Sequence, residues 1–236
     1  MKKIITWTVV GVVVLCLVVL GMLGGCWIPK KLKYKSYQKE VVINIEEGNL
    51  QAALEDINRL IALNPQAVDA YIGRVMIEAE LQDYPRAVAD LDRVIELKPE
   101  SSLAYAVRGE MKVKLQDLDG AMADYNRAVE LDAKDPNTYI GRGIVKFKLD
   151  DYEGSLEDFN HAVELNPQDT MLYQARGGIK YKLEDYTGAL EDVNRAVELD
   201  ETNTDNYELR AEIHKALGNV ESAAADEQKV AELSAK

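Results

Sequence analysis

With 41 acidic against 28 basic residues in a chain of 236, the formal net charge is −13, and seven lysines (Lys2, Lys3, Lys30, Lys31, Lys33, Lys35 and Lys39) precede the first acid, Glu40. The remainder is therefore more acidic than the whole, and an acidic body repels phosphate backbones, which argues against nucleic-acid binding. The two cysteines, Cys16 and Cys26, both lie in the apolar N-terminal segment, so the chain beyond them has neither a disulfide framework nor a cysteine-based metal site.

The first element is that apolar segment. No charged residue occurs from Ile4 to Ile28, and about 25 helical residues at ~1.5 Å each reach farther than the ~30 Å of a bilayer's hydrocarbon. Residues 1–29 are expected to be a transmembrane anchor, with Pro29 at its end and the lysines from Lys30 to Lys39 among lipid headgroups. The alternative is a cleaved lipoprotein signal. Leu23, Gly24, Gly25 and Cys26 resemble a bacterial lipobox, in which Cys26 is lipidated and becomes the mature N-terminus of an exported protein. Gly21 and Gly25 also form a G-x-x-x-G pair suited to close helix packing. A single-pass anchor and a lipid anchor both place the chain at a membrane, and the flanking lysines leave the side it faces open.

A short basic linker, 30–36, leads into a repeat of 34 residues. Tyr37, Tyr71, Tyr105, Tyr139, Tyr173 and Tyr207 share one register. Leu63, Leu97, Leu131, Leu165, Leu199 and Leu233 share a second, and Ala53, Ala87, Ala121, Ser155, Ala189 and Ala223 a third. Within a unit the apolar residues recur at helical spacing in two runs: Tyr139, Gly143, Phe147 and Leu149, then Leu156, Phe159, Ala162, Val163 and Leu165. Asp83, Asp117, Asp151 and Asp185 are placed to cap the second helix of their units. Asp135 followed by Pro136 reads as cap and first helical residue, and Pro65, Pro99 and Pro167 punctuate other junctions. The fold class is all-α, one helix-turn-helix per period, with units at about 34–67, 68–101, 102–135, 136–169, 170–203 and 204–236.

These registers resemble the tetratricopeptide repeat, whose units carry an early aromatic, a small residue one turn on, an Ala in the second helix and a Pro near the end. Tyr139, Gly143, Ser155 and Pro167 supply them in the fourth unit. Ala133 and Glu201 replace the expected Pro, and Val41 stands where a small residue is usual. The resemblance covers about 34–236 and implies a superhelical solenoid of six units. Stacking has an independent cause, since each hairpin has an apolar face that only a neighbour can cover. Leu91, Tyr125, Phe159 and Val193 fill one register whose last member is Glu227, so the stack is expected to end there.

Arg74, Arg108, Arg142, Arg176 and Arg210 form a ladder matched by Asp90, Asp124, Asp158, Asp192 and Asp226. Because the pattern recurs in every unit it is read as structural ion pairing of partly exposed side chains, each pair worth little, rather than as an anion site. His161 replaces Arg59, Arg93, Arg127 and Arg195, and His214 replaces Lys112, Lys146 and Lys180, so both are expected at the surface. No glycine-rich phosphate loop, H-E-x-x-H or G-x-S-x-G occurs. No catalytic activity, cofactor or metal is expected.

What the resemblance implies for function is binding of a protein or peptide on the surface lined by first helices. Carried over residue by residue, that surface comprises Ile72 and Met76, then Ala106, Glu110, Val113 and Lys114, then Ile140, Ile144, Phe147 and Lys148. Met171, Gln174, Tyr181 and Lys182 follow, and then Glu208, Glu212 and Lys215. Apolar side chains beside Lys114, Lys148 and Lys182 suit an extended or helical segment with acidic residues. Gln38 and Val42 depart from the set with which some members clamp a C-terminal carboxylate. The expected function is a membrane-tethered scaffold, adaptor or assembly factor. The alternative is a permanent accessory subunit of a larger membrane complex, docked through its other face or through Gly21 and Gly25.

Overall fold

A computed structural model describes residues 28–235, with side chains from Leu32 onward. The expected anchor or signal, with Cys26, lies outside the described residues. Among those described, no helix is long and apolar enough to cross a membrane. They form twelve helices: α1 (Ile28–Glu46), α2 (Leu50–Leu63), α3 (Val68–Glu80), α4 (Tyr84–Leu97), α5 (Ser102–Lys114), α6 (Leu118–Leu131), α7 (Pro136–Lys148), α8 (Tyr152–Leu165), α9 (Thr170–Lys182), α10 (Tyr186–Leu199), α11 (Thr204–Ala216) and α12 (Val220–Ser234). The stretch 30–36 read as a linker is helical and belongs to α1. Pro29 sits in the first turn, where its missing N–H would have no partner in any case.

The helices fall into two compact units, one ending at Asp117 and the other beginning at Leu118. In the first, each helix from α1 to α5 packs on the next; in the second, each from α6 to α12 does so, and α9 also meets α11.

Each turn between paired helices is made the same way. The Asp83 N–H reaches the Glu78 carbonyl at 2.7 Å and the Gln82 N–H reaches that of Ala79 at 3.0 Å, a Schellman closure that satisfies otherwise orphaned carbonyls. Such a closure needs one residue in left-handed conformation. Gly48 (φ 76°) and Gly218 (φ 78°) take it freely, whereas Gln82, Gln116, Asp150 and Glu184 take it at φ 60–63°. The next aspartate then caps the following helix: Asp83, Asp151 and Asp185 accept from the N–H groups of Arg86, Gly154 and Gly188. Each cap contributes about 1 kcal/mol.

The tyrosine register joins successive hairpins. The hydroxyls of Tyr71, Tyr139, Tyr173 and Tyr207 donate to the carbonyls of Pro65, Ala133, Pro167 and Glu201 at 3.1–3.4 Å. Where Ala133 and Glu201 stand in place of proline, the carbonyl still serves. Close helix packing depends on the alanine register, which is almost fully buried. Ser155 replaces alanine without leaving a polar orphan, because its hydroxyl donates to the Gly143 carbonyl at 2.8 Å. A Cβ on Gly143 would stand 2.9 Å from the Phe159 ring, so the small residue sets how near α7 lies to α8. Fully buried Ile57, Leu60, Val94, Val145, Val193 and Ile213 form the centres of these stacks, each contributing roughly 1.5–3 kcal/mol. At the C-terminal end, Glu227 on α12 is half exposed and paired with Lys215, in the register where Leu91, Tyr125, Phe159 and Val193 are buried.

Candidate functional site

The most strongly charged positions are structural. Arg142 donates to both carboxylate oxygens of Asp158 and through Nη1 to Asn126 at 3.1 Å. Arg176 does the same with Asp192 and Asn160, and Arg210 with Asp226 and Asn194. In the first unit Arg74 bonds Asp90 and Asn58, while Arg108 bonds Asp92. Asp90, Asp158, Asp192 and Asp226 are only 1–6% exposed, whereas Asp92 lies at the surface; the pairs expected to be partly exposed thus each have a buried carboxylate beneath a partly exposed arginine. A buried carboxylate depends on its cation far more than a surface one does. Each of these arginines also lies 5.2–5.7 Å from the ring of the tyrosine three residues earlier.

The two histidines differ. His161 is exposed and stacks on Tyr139, ring centroids 5.1 Å apart. His214 is not a surface residue: its side chain is 15% exposed and its Nε2 lies 4.0 Å from Asp226. The reason is positional. Its register faces the buried aspartate, and Lys146 and Lys180 reach Asp158 and Asp192 from it at 3.0 and 2.8 Å.

The second unit contains an open pocket of 780 Å³. From α7 come Ile144, Phe147 and Lys148, from α9 Ala175, Gly178, Ile179, Tyr181 and Lys182, and from α11 Leu209 and Glu212. Asp150 in the turn, with Tyr152 and Phe159 of α8, completes the wall. The Phe147 ring meets Tyr152 edge-on at 5.2 Å, and Tyr181 meets Tyr186 at 5.5 Å. Asp150 accepts the Tyr152 hydroxyl at 2.7 Å, fixing that ring and raising the phenol pKa. The lining is mostly apolar, with Lys148 and Lys182 facing solvent near Asp150 and Glu212.

Six of the residues singled out from the sequence, Ile144, Phe147, Lys148, Tyr181, Lys182 and Glu212, thus meet in one pocket. Ile140 and Gln174 are half-buried on α7 and α9 without lining it, and Ile140 packs against the core around Tyr139. In the first unit, Ile72 and Met76 are half-buried against core side chains of α3 and its neighbours. On α5, Glu110 and Lys114 are exposed and Val113 is half-buried. The sequence reading missed Asp150, Tyr152 and Gly178. Tyr152 shares a register with Tyr84 and Tyr186, a signal that could have marked it. Gly178 occupies the register of Met76, Glu110, Ile144 and Glu212, and nothing lies within 4 Å of where its Cβ would be. The missing side chain leaves room between α7, α9 and α11. Among the described residues no cluster of three or more His, Cys, Asp or Glu is placed to hold a metal.

Models of the tetratricopeptide repeat match residues 42–112 and 136–169, and a TPR-repeat model matches 109–150. No curated protein matches the sequence significantly. Among solved structures, pilF of Pseudomonas aeruginosa is similar at 14% identity, covering 86% of this chain and 93% of that one, with a TM-score of 0.71. YrrB, described as a TPR protein with an unusual peptide-binding site, is similar at 22% identity over 77% of this chain and 93% of its own, TM-score 0.66. MamA of Desulfovibrio magneticus RS-1 is similar at 22% identity over 72% and 97%, TM-score 0.67. At these identities the likeness is one of fold. The matched models run without a gap from 42 to 169, and the registers continue through both units: the chain is a tetratricopeptide-repeat protein.

Proposed function

We propose that this chain is a binding scaffold that takes a segment of a partner protein into the pocket between α7, α9 and α11, and that its apolar N-terminal segment holds it at a membrane. The pocket is the observation that carries the first part. Its 780 Å³ is within the range that buries a compact ligand group, and its apolar wall is edged by Lys148 and Lys182. A segment that seats an aromatic or branched side chain against Phe147 and Tyr181, with an acidic residue beside it, satisfies both features. The fold shared with YrrB, a protein described by its peptide-binding site, supports the same class of ligand. The tether rests on the uncharged run from Ile4 to Ile28 and the lysines around it. As an assembly factor or adaptor, the chain would concentrate its partner at that surface.

Selection of a random phage-displayed peptide library on the immobilised chain tests the pocket. Enriched peptides are expected to pair an aromatic or branched residue with an acid. They should lose binding to the Phe147→Asp, Tyr181→Asp double variant while its helical circular dichroism is unchanged. Peptides that bind the double variant as well as the parent would remove the pocket from the proposal. For the tether, alkaline-carbonate extraction should leave the chain in the membrane fraction, and the mature N-terminus separates an intact anchor, starting at Met1, from a lipidated Cys26. Release of the chain into the soluble fraction overturns it.

A further inference from the structure

One register of the hairpins presents a donor to the buried aspartate of the following helix. Asn44 donates to Asp56 at 3.0 Å, Lys146 and Lys180 reach Asp158 and Asp192, and His214 stands 4.0 Å from Asp226. On α3 the same register is held by Glu78, a carboxylate facing a carboxylate.

Glu78 is 4% exposed, and its Oε2 is buried without a hydrogen-bond partner. Its Oε1 lies 3.9 Å from Arg74 Nε, but that guanidinium already donates to both oxygens of Asp90 and to Asn58. The helices packed on α3 are α2 and α4. From α4 and its cap, Asp90 and Asp83 add like charge to Glu78, while Arg86 is held by Asp83 at 3.3 Å. On α2, Asp56 and Arg59 pair with one another at 2.6 Å. The nearest cation is thus shared with a closer carboxylate, and an ionised Glu78 would be a second negative charge in a buried site.

We infer that Glu78 folds as the neutral acid and that its proton is a structural part of the α3–α4 hairpin, which loosens when the proton leaves. Burial, reinforced by the charge of Asp90 and opposed by that of Arg74, pushes the Glu78 pKa up to about 7 from 4.5. The folded chain therefore holds this proton more tightly than the unfolded chain does. Stability from this group is greatest below the unfolded value and is lost as pH rises through the interval between the two, reaching its floor above the folded value.

The test is thermal unfolding of the full chain from pH 5 to pH 8, beside Glu78→Gln, which keeps the shape and cannot ionise. The parent should lose stability relative to Glu78→Gln across this window, by on the order of a hundredfold in the ratio of the two unfolding constants. Carboxyl-carbon NMR of Glu78 in the full chain provides a second measurement that needs no variant, with a midpoint expected near neutrality. Parallel stability curves for parent and Glu78→Gln, or a carboxyl midpoint near the ordinary ~4.3 of glutamate, would overturn the inference.

Discussion

Arg142 reaches across the α7–α8 hairpin and holds Asp158 in a two-pronged hydrogen bond, Nε at 3.0 Å from one carboxylate oxygen and Nη2 at 2.6 Å from the other. Asp158 is 1% exposed and also receives Lys146 at 3.0 Å. Removing the carboxylate by Asp158→Ala leaves two cations facing a buried gap. Breaking a buried pair from one side costs ~3–5 kcal/mol, and the 18% exposure of the arginine places this case at the low end. Urea unfolding should therefore show a loss of about 3 kcal/mol. A loss below about 0.5 kcal/mol would mean the pair behaves as a surface ion pair.

The turn register makes a prediction of opposite sign. Glu184 holds φ at 61° in the α9–α10 turn, where Gly218 serves in the last hairpin. A residue with a Cβ is strained in this conformation and glycine is not. Glu184 is exposed, so Glu184→Gly should stabilise the chain by roughly 0.5–1 kcal/mol despite the greater freedom of glycine when unfolded. A higher urea midpoint checks it. Asp150→Gly in the matching turn should gain less, because it also removes the acceptor of the Tyr152 hydroxyl.

The hairpins were legible because each is written six times. A tyrosine every 34 residues marks the bond from Tyr139 to the carbonyl of Ala133 as plainly as the one from Tyr173 to that of Pro167. The same repetition exposed the arginine ladder but hid its burial, since charge pattern alone does not reveal that α8 turns Asp158 inward. His214 was misjudged for a related reason: lysine is usually a surface residue, and here its stem lets a buried aspartate be reached from outside. The pocket was half legible. Phe147 and Tyr181 lie in family positions, but Gly178 contributes by lacking a side chain, and an absence has no motif.

Asn206 is fully buried on α11, and neither atom of its amide has a hydrogen-bond partner. The register carries Leu172 in the preceding unit and Thr138 before that, where the threonine hydroxyl donates to Asp135 at 2.8 Å. An unpaired amide in an apolar site costs about 1–3 kcal/mol. Asn206→Leu, which keeps the branched four-atom side chain and places there the residue that Leu172 supplies in the preceding repeat, should raise the thermal midpoint by several degrees in a scanning calorimeter. An unchanged or lower midpoint would show that the amide is satisfied in solution.

Gly178 and its neighbour Gly177 should answer the same substitution in opposite ways. A Cβ at Gly177 would come within 2.8 Å of Val193 and 3.3 Å of the Ala189 carbonyl, so Gly177→Ala must push α9 away from α10 and lower stability. At Gly178 the space is open, and replacing a mid-helix glycine by alanine gains about 0.5–1 kcal/mol. Gly178→Leu carries this further. Its side chain would enter the pocket between Phe147 and Tyr181 without disturbing the core, leaving the fold intact while filling the volume available to a ligand. Peptides selected on the parent chain should bind this variant at least tenfold more weakly by isothermal titration calorimetry, with its thermal midpoint no lower than the parent's. Equal affinity for a stably folded Gly178→Leu would place the recognition of those peptides elsewhere on the chain.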